Sequence, residues 1–266
     1  MKVNEKKCKS ILSESELYGI EFSINPYTGC EHGCKYCYAT YMKRFSNHSE
    51  PWGKFVDVKG DLKKTLEKDL EKKEKGRILI SSVTDPYQPL EEEYKKTRKI
   101  LKTLSEKTWD THILTKSDLI LRDLDILTNF EEDKIHTGLT INFLKEKDRE
   151  IWEPKAPPIK KRIKALQKLS EKPVQTYVHT GPYLEGITNL KKIVKKIENL
   201  ADELQIEPIN FKNGKKILNI IKRHYPELKE KYEEIKKDPL PHKIKLKEEV
   251  DEIRKDTDLK IKLFLE

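Results

Sequence analysis

Residues 25–39 read NPYTGCEHGCKYCYA and place three cysteines, Cys30, Cys34 and Cys37, close together on one loop. The fourth cysteine, Cys8, lies far upstream, so the chain lacks the spaced cysteine framework of a disulfide-stapled protein. In a reducing compartment, closely spaced thiols more often bind metal than form bridges. The stretch therefore predicts a metal site, and the rest of the chain is interpreted around it.

The number and spacing of these thiols restrict the metal. Thiolate ligands favour zinc or an iron–sulfur cluster. Structural zinc takes four protein ligands, commonly as two separated pairs, and no second pair follows Cys37. A [4Fe-4S] cluster held by three thiolates leaves one iron open to a substrate or cofactor. A zinc knuckle completed by Cys8 or His32 is the alternative.

Outward from the loop, short apolar runs alternate with segments of helical periodicity. Helices are predicted over residues 62–70, 94–104, 118–128, 159–169 and 190–197. Right-handed βαβ crossovers then give one α/β parallel sheet, either open or curved into a barrel. The predicted strands are Glu21–Asn25, Arg77–Val83, Thr111–Thr115, Lys134–Asn142, Val174–Thr180 and Leu204–Asn210.

The pattern changes after residue 210. An apolar stripe predicts one long helix from Gly214 to Lys237, packed across the end of the core and terminated by Pro239 and Pro241. The alternating IKLFLE at 261–266 predicts an edge strand. We divide the chain into an N-terminal extension (1–19), a barrel (20–210) and a C-terminal helical extension (211–266).

The composition excludes a membrane-spanning helix but identifies no partner. The chain has 266 residues, 38% of them charged, and a formal net charge of +9, which is a small bias on a densely charged surface. No stretch approaches the roughly 20 apolar residues that span a bilayer. The basic N-terminus lacks the apolar run of a secretory signal. We expect a cytoplasmic protein with no membrane partner.

Polar side chains follow five of the six predicted strands, whose carboxyl ends meet at one face of a parallel α/β fold. The cysteines follow the first strand. Two of the other groups have structural alternatives, because Asp85 could cap a turn at Pro86 and Lys116 could pair with Asp118 on the surface. The groups after the later strands are Ser81, Ser82, Thr84 and Asp85, then Thr115 and Lys116, then Thr140 and Asn142, then His179 and Thr180.

The cysteine loop resembles the C-x3-C-x2-C signature of radical S-adenosylmethionine (SAM) enzymes, with Tyr36 at the aromatic position before the last cysteine. Further blocks resemble the spore photoproduct lyase-like branch of that family. The resemblance extends over Ile20–Asn210 and implies a partial (β/α)6 barrel, in agreement with the six predicted strands. The blocks are SVTDPYQPLE (82–91), LTKSDLILRDLDIL (114–127), LTIN (139–142) and EPKAPPIKKRIKAL (153–166).

The resemblance implies a [4Fe-4S] cluster bound by Cys30, Cys34 and Cys37, whose free iron chelates the amino and carboxylate groups of SAM. An electron from an external donor of the ferredoxin or flavodoxin type cleaves SAM to a 5′-deoxyadenosyl radical. That radical abstracts hydrogen from a substrate held in a closed, largely dry pocket.

The same resemblance assigns individual residues. Tyr36 is expected to contact the adenine region of SAM, and Tyr38 resembles a tyrosine proposed to relay hydrogen in the lyase. The remaining side chains are expected to line the cofactor site: Thr84 and Asp85 at the SAM amino group, Lys116, Thr140 and Asn142 at its carboxylate and ribose, and Ser82 and His179 on neighbouring strand exits.

One departure from the lyase concerns the substrate. The lyase has a further cysteine near the second strand exit that returns hydrogen to the product radical, and Ser82 takes that place here. A serine O–H bond is much stronger than a thiol S–H bond, which argues against repair of a thymine photoproduct by the same mechanism. The candidate substrates are a nucleic acid or a polypeptide. The competing hypothesis is a non-catalytic zinc or iron–sulfur module that binds nucleic acid.

Overall fold

The strands of the chain form two sheets. A computed structural model describes residues 1–131 and 133–265. Within them the strands are β1 (Lys2–Lys6), β2 (Leu12–Glu14), β3 (Phe22–Ile24), β4 (Tyr27–Thr28), β5 (Phe55–Lys59), β6 (Ile78–Ile80), β7 (Thr111–Thr115), β8 (Ile135–Thr140), β9 (Gln175–Tyr183), β10 (Glu203–Pro208) and β11 (Lys260–Leu263).

The larger sheet has the strand order β11-β10-β9-β8-β7-β6-β3-β2. All neighbouring pairs from β3 to β11 are parallel, and β2 is antiparallel to β3. The six predicted strands are therefore confirmed, in sequential order, as the wall of a partial barrel. The predicted C-terminal edge strand is confirmed over Lys260–Leu263; its last predicted residue, 266, lies outside the described residues.

Helices connect the strands and cover the outer face of this sheet. In α7, for example, the Asn189 side chain accepts a hydrogen bond from the Lys192 N–H at 2.9 Å and caps the first turn. The helices are α1 (Leu62–Leu70), α2 (Glu91–Tyr94), α3 (Lys96–Glu106), α4 (Leu124–Leu127), α5 (Glu146–Trp152), α6 (Ile159–Ser170), α7 (Leu190–Ile197), α8 (Gly214–His224), α9 (Lys229–Lys237) and α10 (Leu240–Ile253), with 3-10 helices at Tyr38–Phe45, Asp118–Asp123 and Pro226–Leu228.

The prediction of one helix from Gly214 to Lys237 is wrong. Pro226 interrupts it, since proline has no N–H to continue the ladder, and a short 3-10 turn separates α8 from α9. Pro241 does not end a helix but lies in the first turn of α10, where a missing N–H costs nothing. The apolar stripe was correct: Ile217, Ile221 and other residues of α8 and α9 are buried.

Two other predicted helices are divided. Residues 118–128 form a 3-10 helix followed by α4. Residues 94–104 are split between α2 and α3 because Lys95 adopts a left-handed φ of 50°. Both segments keep their apolar faces on the core, so periodicity identified the buried residues while missing the local breaks.

Alternate residues of each barrel strand face opposite sides. In β7, Thr111, Ile113 and Thr115 are buried under the helices, while His112 and Leu114 face the inside of the barrel and are partly exposed. The N-terminal segment is built into both sheets, because β1 pairs with β5 and β2 pairs with β3. The division into three segments stays a prediction. Among the described residues no helix has the length and apolar content to cross a membrane.

Candidate functional site

A cleft with an open mouth lies at the carboxyl ends of the barrel strands, and its internal volume is about 160 Å³. Asn142 lies behind the wall and is fully buried. The other eleven of the twelve predicted site residues line the cleft: Cys30, Cys34, Cys37, Tyr36, Tyr38, Ser82, Thr84, Asp85, Lys116, Thr140 and His179.

Two glycines allow the cysteine loop to adopt its path. Gly29 has φ +97°, and a Cβ there would lie 2.5 Å from the Phe55 carbonyl oxygen. Gly33 has φ +60° and packs against Gly53, where a Cβ would approach the Gly33 Cα to 2.9 Å. Only glycine combines this backbone conformation with such close contacts. The glycines beside the cysteines are therefore part of the loop's architecture.

Residues 82–91, which follow the second barrel strand, hold the cysteine loop in place by hydrogen bonds. The Thr84 hydroxyl donates to the Gly29 carbonyl at 2.6 Å. Gln88 accepts from the Glu31 N–H at 2.9 Å, and the Leu90 N–H donates to the Glu31 carboxylate at 2.6 Å. Because both sides of Cys30 are bonded to this block, the first thiol is held in place without help from a ligand.

The three thiols ionise only when positive charge is added beside them. Burial raises the pKa of each of them, and raises that of Cys34 to about 12. Mutual repulsion with the other two thiolates further raises the pKa of Cys30. Without added positive charge the thiols therefore keep their protons, whereas metal ions bind the deprotonated form.

The number of thiols fits a cluster with one open iron better than a structural zinc site with four protein ligands. Tetrahedral zinc with Zn–S bonds of about 2.3 Å brings its sulfurs to about 3.8 Å from one another. Among the described residues, the one group of three metal-ligand atoms that all lie within 4.8 Å of one another is Asp110, His112 and His136. At least one pair of the cysteine sulfurs is therefore more than 4.8 Å apart, so the thiols are not arranged around a single zinc ion.

The alternative zinc ligands do not improve the fit. Cys8 lies outside the cleft and its thiol donates to the Gly60 carbonyl at 3.5 Å. His32 lines the cleft and is 1% exposed, but among the described residues it forms no group of three ligand atoms with the cysteines within 4.8 Å. The thiol donors present at the cleft are the three of this loop.

Tyr36 is fixed by a buried polar network behind the cleft. Its hydroxyl donates to the Glu153 carboxylate and accepts from the Asn142 amide at 2.9 Å. Glu153 is fully buried and pairs with Arg162 at 2.5 Å. Burial alone would raise the pKa of Glu153, but Arg162 and Lys116 reverse this and lower it. The tyrosine ring is thereby held in the cleft wall between Cys34 and Cys37.

Asp85 organises the second and third strand exits. Its carboxylate accepts from the Thr115 hydroxyl at 2.6 Å and from the Lys116 N–H at 2.9 Å, and lies 3.3 Å from His32. Burial opposes ionisation, but His32, Lys116 and Thr115 together lower the pKa of Asp85 well below its usual range. The turn at Pro86 is also capped, since the Tyr87 N–H donates to Asp85 at 2.9 Å.

Lys116 directs its ammonium group into the cleft. Its Nζ lies 3.5 Å from the Thr140 hydroxyl and 5.9 Å from the centre of the Tyr36 ring. Asp118, its alternative partner, pairs instead with Lys161 at 3.5 Å. Within residues 1–131 and 133–265, no carboxylate lies at ion-pair distance from Lys116. Burial opposes its charge, but Cys34, Glu153 and Asp85 raise the pKa of Lys116 above its ordinary value.

The far end of the cleft is formed by Tyr38 and His179. The Tyr38 hydroxyl donates to the Ser82 carbonyl, and burial raises the pKa of this phenol. His179 lies 3.7 Å from Glu207, and its Nδ1 is buried with no hydrogen-bond partner in the described structure. This end therefore presents a neutral phenol and an imidazole beside the region of the thiols.

Sequence reasoning missed several residues that complete the site. Trp52 and Glu207 also line the cleft, as does His32, which the sequence suggested only as an alternative zinc ligand and which lies 3.3 Å from Asp85. Glu153 and Arg162 lie in the 153–166 block that the resemblance had already identified, and membership of that block was the available signal. Nothing in the periodicity around Trp52 marked it as part of a site.

Comparison with known proteins places the chain in a family. The Radical SAM superfamily model matches residues 24–197. An uncharacterised protein of Methanocaldococcus jannaschii is 34% identical over 221 residues, which cover 83% of each chain. The region that the family model matches contains the cysteine loop, the four barrel strands β6 to β9 and the last residue of β3.

Solved structures share the fold at low sequence identity. Spore photoproduct lyase complexed with a dinucleoside spore photoproduct superposes with a TM-score of 0.63 and 15% identity, over 84% of this chain and 66% of the lyase chain. SuiB of Streptococcus suis bound to S-adenosylmethionine gives a TM-score of 0.56 and 14% identity, over 91% and 50% of the chains. With the fold, the cysteine loop and the family match in agreement, the chain is a radical SAM enzyme, a member of the superfamily that uses a [4Fe-4S] cluster and S-adenosylmethionine.

Proposed function

We propose that Cys30, Cys34 and Cys37 hold a [4Fe-4S] cluster with one iron left for S-adenosylmethionine. The observation that carries this proposal is that three thiols of one loop, two buried and one partly buried, line the same cleft, with at least one pair of sulfurs more than 4.8 Å apart. When bound, the cluster and SAM supply a 5′-deoxyadenosyl radical that abstracts hydrogen from the substrate. The protein's task is to orient the cofactor and to limit the access of water.

Lys116 and Tyr36 are assigned the direct contacts with SAM. The free ammonium of Lys116 would bind a carboxylate beside Cys34, and Thr140 would share that group through its hydroxyl. The fixed ring of Tyr36 would pack on the adenine. His179 lies farther along the same wall, where we assign it to the nucleoside end.

The remaining predicted contacts are assigned as positioning residues. Asn142 already donates to Tyr36, Glu153 and the Gly181 carbonyl. Asp85 and Thr84 are likewise bonded to the protein. We therefore propose that these three act on SAM through Tyr36, the Lys116 backbone and the cysteine loop rather than through their own side chains.

We propose a nucleic acid as the substrate class. The 3-10 helix that begins at Tyr38, in the cleft, continues into an exposed surface formed by Tyr41 (39% exposed) and Phe45 (63% exposed). Arg44 lies over both rings, at 5.4 and 4.7 Å from their centres. Aromatic rings combined with a guanidinium group favour stacked bases beside a phosphate backbone.

The electron donor is proposed to be an acidic protein of the ferredoxin or flavodoxin type, in the cytoplasm. Lysines surround the outer side of the cysteine loop. Lys155 and Lys216 are exposed. Partial burial is the largest cause that lowers the pKa of each side chain, and repulsion from neighbouring lysines lowers it further. These neighbours are Lys54 and Lys35 for Lys155, and Lys35 for Lys216. This positive rim would steer a negatively charged donor towards the cluster.

A matched pair of cysteine variants tests the cofactor assignment. After anaerobic reconstitution, the wild type and Cys8→Ala should contain about four irons and should release 5′-deoxyadenosine from SAM with dithionite. Cys34→Ala should lose both properties. Stoichiometric zinc without SAM cleavage in the wild type would instead support a non-catalytic module.

The substrate class is tested by deuterium transfer and by binding. Deuterated single-stranded DNA or RNA should transfer deuterium into 5′-deoxyadenosine, and the double variant Tyr41→Ala/Phe45→Ala should bind the strand at least roughly tenfold more weakly. Leu240→Ala, an exposed apolar position on α10, is the control. Transfer from labelled peptides and not from nucleic acid would identify a polypeptide substrate instead.

Tyr38 is proposed to relay hydrogen to or from the substrate. Tyr38→Phe should still cleave SAM, because the phenol is not one of the proposed cluster ligands and donates to the Ser82 carbonyl. It should change how much deuterium from labelled solvent appears in the product. An unchanged isotope pattern at a normal rate would remove Tyr38 from the mechanism.

A further inference from the structure

A second cluster of metal-ligand side chains lies at the opposite end of the barrel. His112 and His136 face each other across β7 and β8, with ring centres 4.0 Å apart. The Asp110 Oδ1 lies 3.5 Å from the Nε2 atom of each ring. These residues are at the amino ends of the strands. His112 and Lys116 are four residues apart, so at about 3.3 Å per residue they are separated by about 13 Å along the strand direction.

Tyr177 separates this cluster from the cleft. Its ring lies over Gly138, where a Cβ would come within 2.2 Å of the ring, and its hydroxyl donates to the Ile113 carbonyl at 3.1 Å. The ring is also 6.4 Å from that of His112. The cluster is therefore distinct from the proposed SAM site and does not depend on the function proposed for it.

The polar atoms of the cluster face each other without satisfying one another. Asp110 Oδ1 and His112 Nε2 are buried and have no hydrogen-bond partner in the described structure. The other carboxylate oxygen, Oδ2, accepts from the Arg77 Nε at 3.0 Å. Unpaired buried polar atoms are costly and call for an explanation. A cation located between the carboxylate and the two imidazoles would pair with both of these atoms.

We propose that Asp110, His112 and His136 bind one divalent transition-metal ion of the zinc class. Two imidazoles and a carboxylate are ordinary zinc donors, and metal–ligand bonds of about 2.0–2.1 Å place tetrahedral donor atoms about 3.3 Å apart. The two separations between Asp110 and the histidines, 3.5 Å each, are close to this value, and all three donor atoms lie within 4.8 Å of one another. Rotation about the Cβ–Cγ bonds, which are soft, turns the two rings towards a shared point.

Arg77 acts on this site through the carboxylate. Its contact with Oδ2 fixes the orientation of Asp110 and leaves Oδ1 directed at the imidazoles, as outer-shell partners do in metal sites. The fourth position would be left to water, because each of the three side chains supplies one donor atom. The ion would join the first residues of β7 and β8 and so stabilise the barrel wall at the end opposite the cleft.

Zinc binding by the full-length, untagged, cluster-loaded protein tests the site. In anaerobic equilibrium dialysis at about pH 8, where free imidazole is neutral, the wild type should bind one zinc ion per chain, and its Tm should rise with zinc concentration. Asp110→Asn, which keeps the shape of the side chain, should weaken binding at least about tenfold. His112→Gln/His136→Gln should abolish it.

Two controls distinguish this site from others. His224→Gln, at the exposed end of α8, should bind zinc as the wild type does. A Cys30→Ser/Cys34→Ser/Cys37→Ser variant should retain the zinc site. The proposal is overturned if the wild type binds no more zinc than His112→Gln/His136→Gln, or if the cysteine variant loses the zinc while its circular dichroism stays native.

Discussion

Tyr27 and Tyr36 flank the cysteine loop and are anchored in the same way, yet only one of them faces the cleft. Each donates its hydroxyl to a fully buried glutamate, Glu91 for Tyr27 and Glu153 for Tyr36. Each glutamate is paired with an arginine. The loop is thus held at both ends by the same arrangement, but Tyr27 is enclosed in the core while Tyr36 lines the wall beside two thiols.

The difference between the anchors lies in what else holds the glutamate. Glu91 also accepts from the Thr97 N–H at 3.0 Å, and its Arg122 partner is 21% exposed. Glu153 depends on side chains that themselves belong to the site, and its Arg162 partner is 1% exposed. The Glu91 anchor fixes the chain, whereas the Glu153 anchor connects the fold to the cofactor pocket.

The largest effect should come from removing the arginine of the Glu153 anchor. Arg162→Met leaves a buried carboxylate without its cation, which costs about 3–5 kcal/mol in the free energy of unfolding. Arg122→Met should cost less, because that arginine is more exposed and Glu91 keeps its backbone donor. Urea denaturation of both variants measures the difference. Equal losses would show that the two anchors are energetically equivalent.

Next in size is the effect of Lys116, which joins the Glu153 side of the loop to the proposed SAM carboxylate. Lys116→Met removes a charge-assisted contact of about 1.5–3 kcal/mol, so SAM should bind roughly 10- to 100-fold more weakly while iron content stays unchanged. Lys161→Met, which removes a surface pair with Asp118, is the matched control. Equal SAM affinity of the two variants by equilibrium dialysis would remove Lys116 from the site.

The sequence allowed the strands and the thiols to be predicted, because both depend on local patterns. Apolar alternation defined the six barrel strands, and the order of parallel strands then placed the polar residues of their exits around one cleft. The partners of those residues were not predictable in the same way. Tyr36 and Glu153 are 117 positions apart, and no periodicity links residues that meet only after the barrel closes.

Local breaks in helices were the other source of error. Pro226 lies within an apolar stripe that continues on both sides of it. The prediction followed the stripe, although proline has no backbone N–H and therefore ends helices. At Lys95 no residue type signals the left-handed turn between α2 and α3. The sequence contains the burial pattern at these positions, whereas the turn depends on packing of the neighbouring segments.

Removing the two tyrosine hydroxyls separates anchoring from catalysis at smaller cost. Tyr27→Phe and Tyr36→Phe each take one donor from a buried carboxylate, which should lower the free energy of unfolding by about 1–2 kcal/mol. Only Tyr36→Phe should also change the rate of SAM cleavage, because only that ring lines the cleft. If Tyr27→Phe slowed cleavage equally at full iron content, the distinction between the two ends of the loop would fail.

The smallest effect concerns a third buried glutamate, far from the loop, that attaches the C-terminal helices. Glu185 contacts Lys245 at 2.5 Å, His242 at 2.8 Å and Lys231 at 3.3 Å. Burial alone would raise its pKa, but these three partners lower the pKa of Glu185 to about 2. A lowered carboxyl pKa contributes its full stability above the unfolded value of about 4.3 and loses it as the pH falls towards 2.

Glu185→Gln tests whether this attachment is electrostatic. The difference in free energy of unfolding between wild type and variant, both metal-free and reduced, should be constant above about pH 4.3 and should shrink below it. Glu227→Gln, at an exposed position before α9, should differ little from the wild type at every pH. A Glu185 difference that persists unchanged into acid would mean that the side chain stabilises the protein by packing.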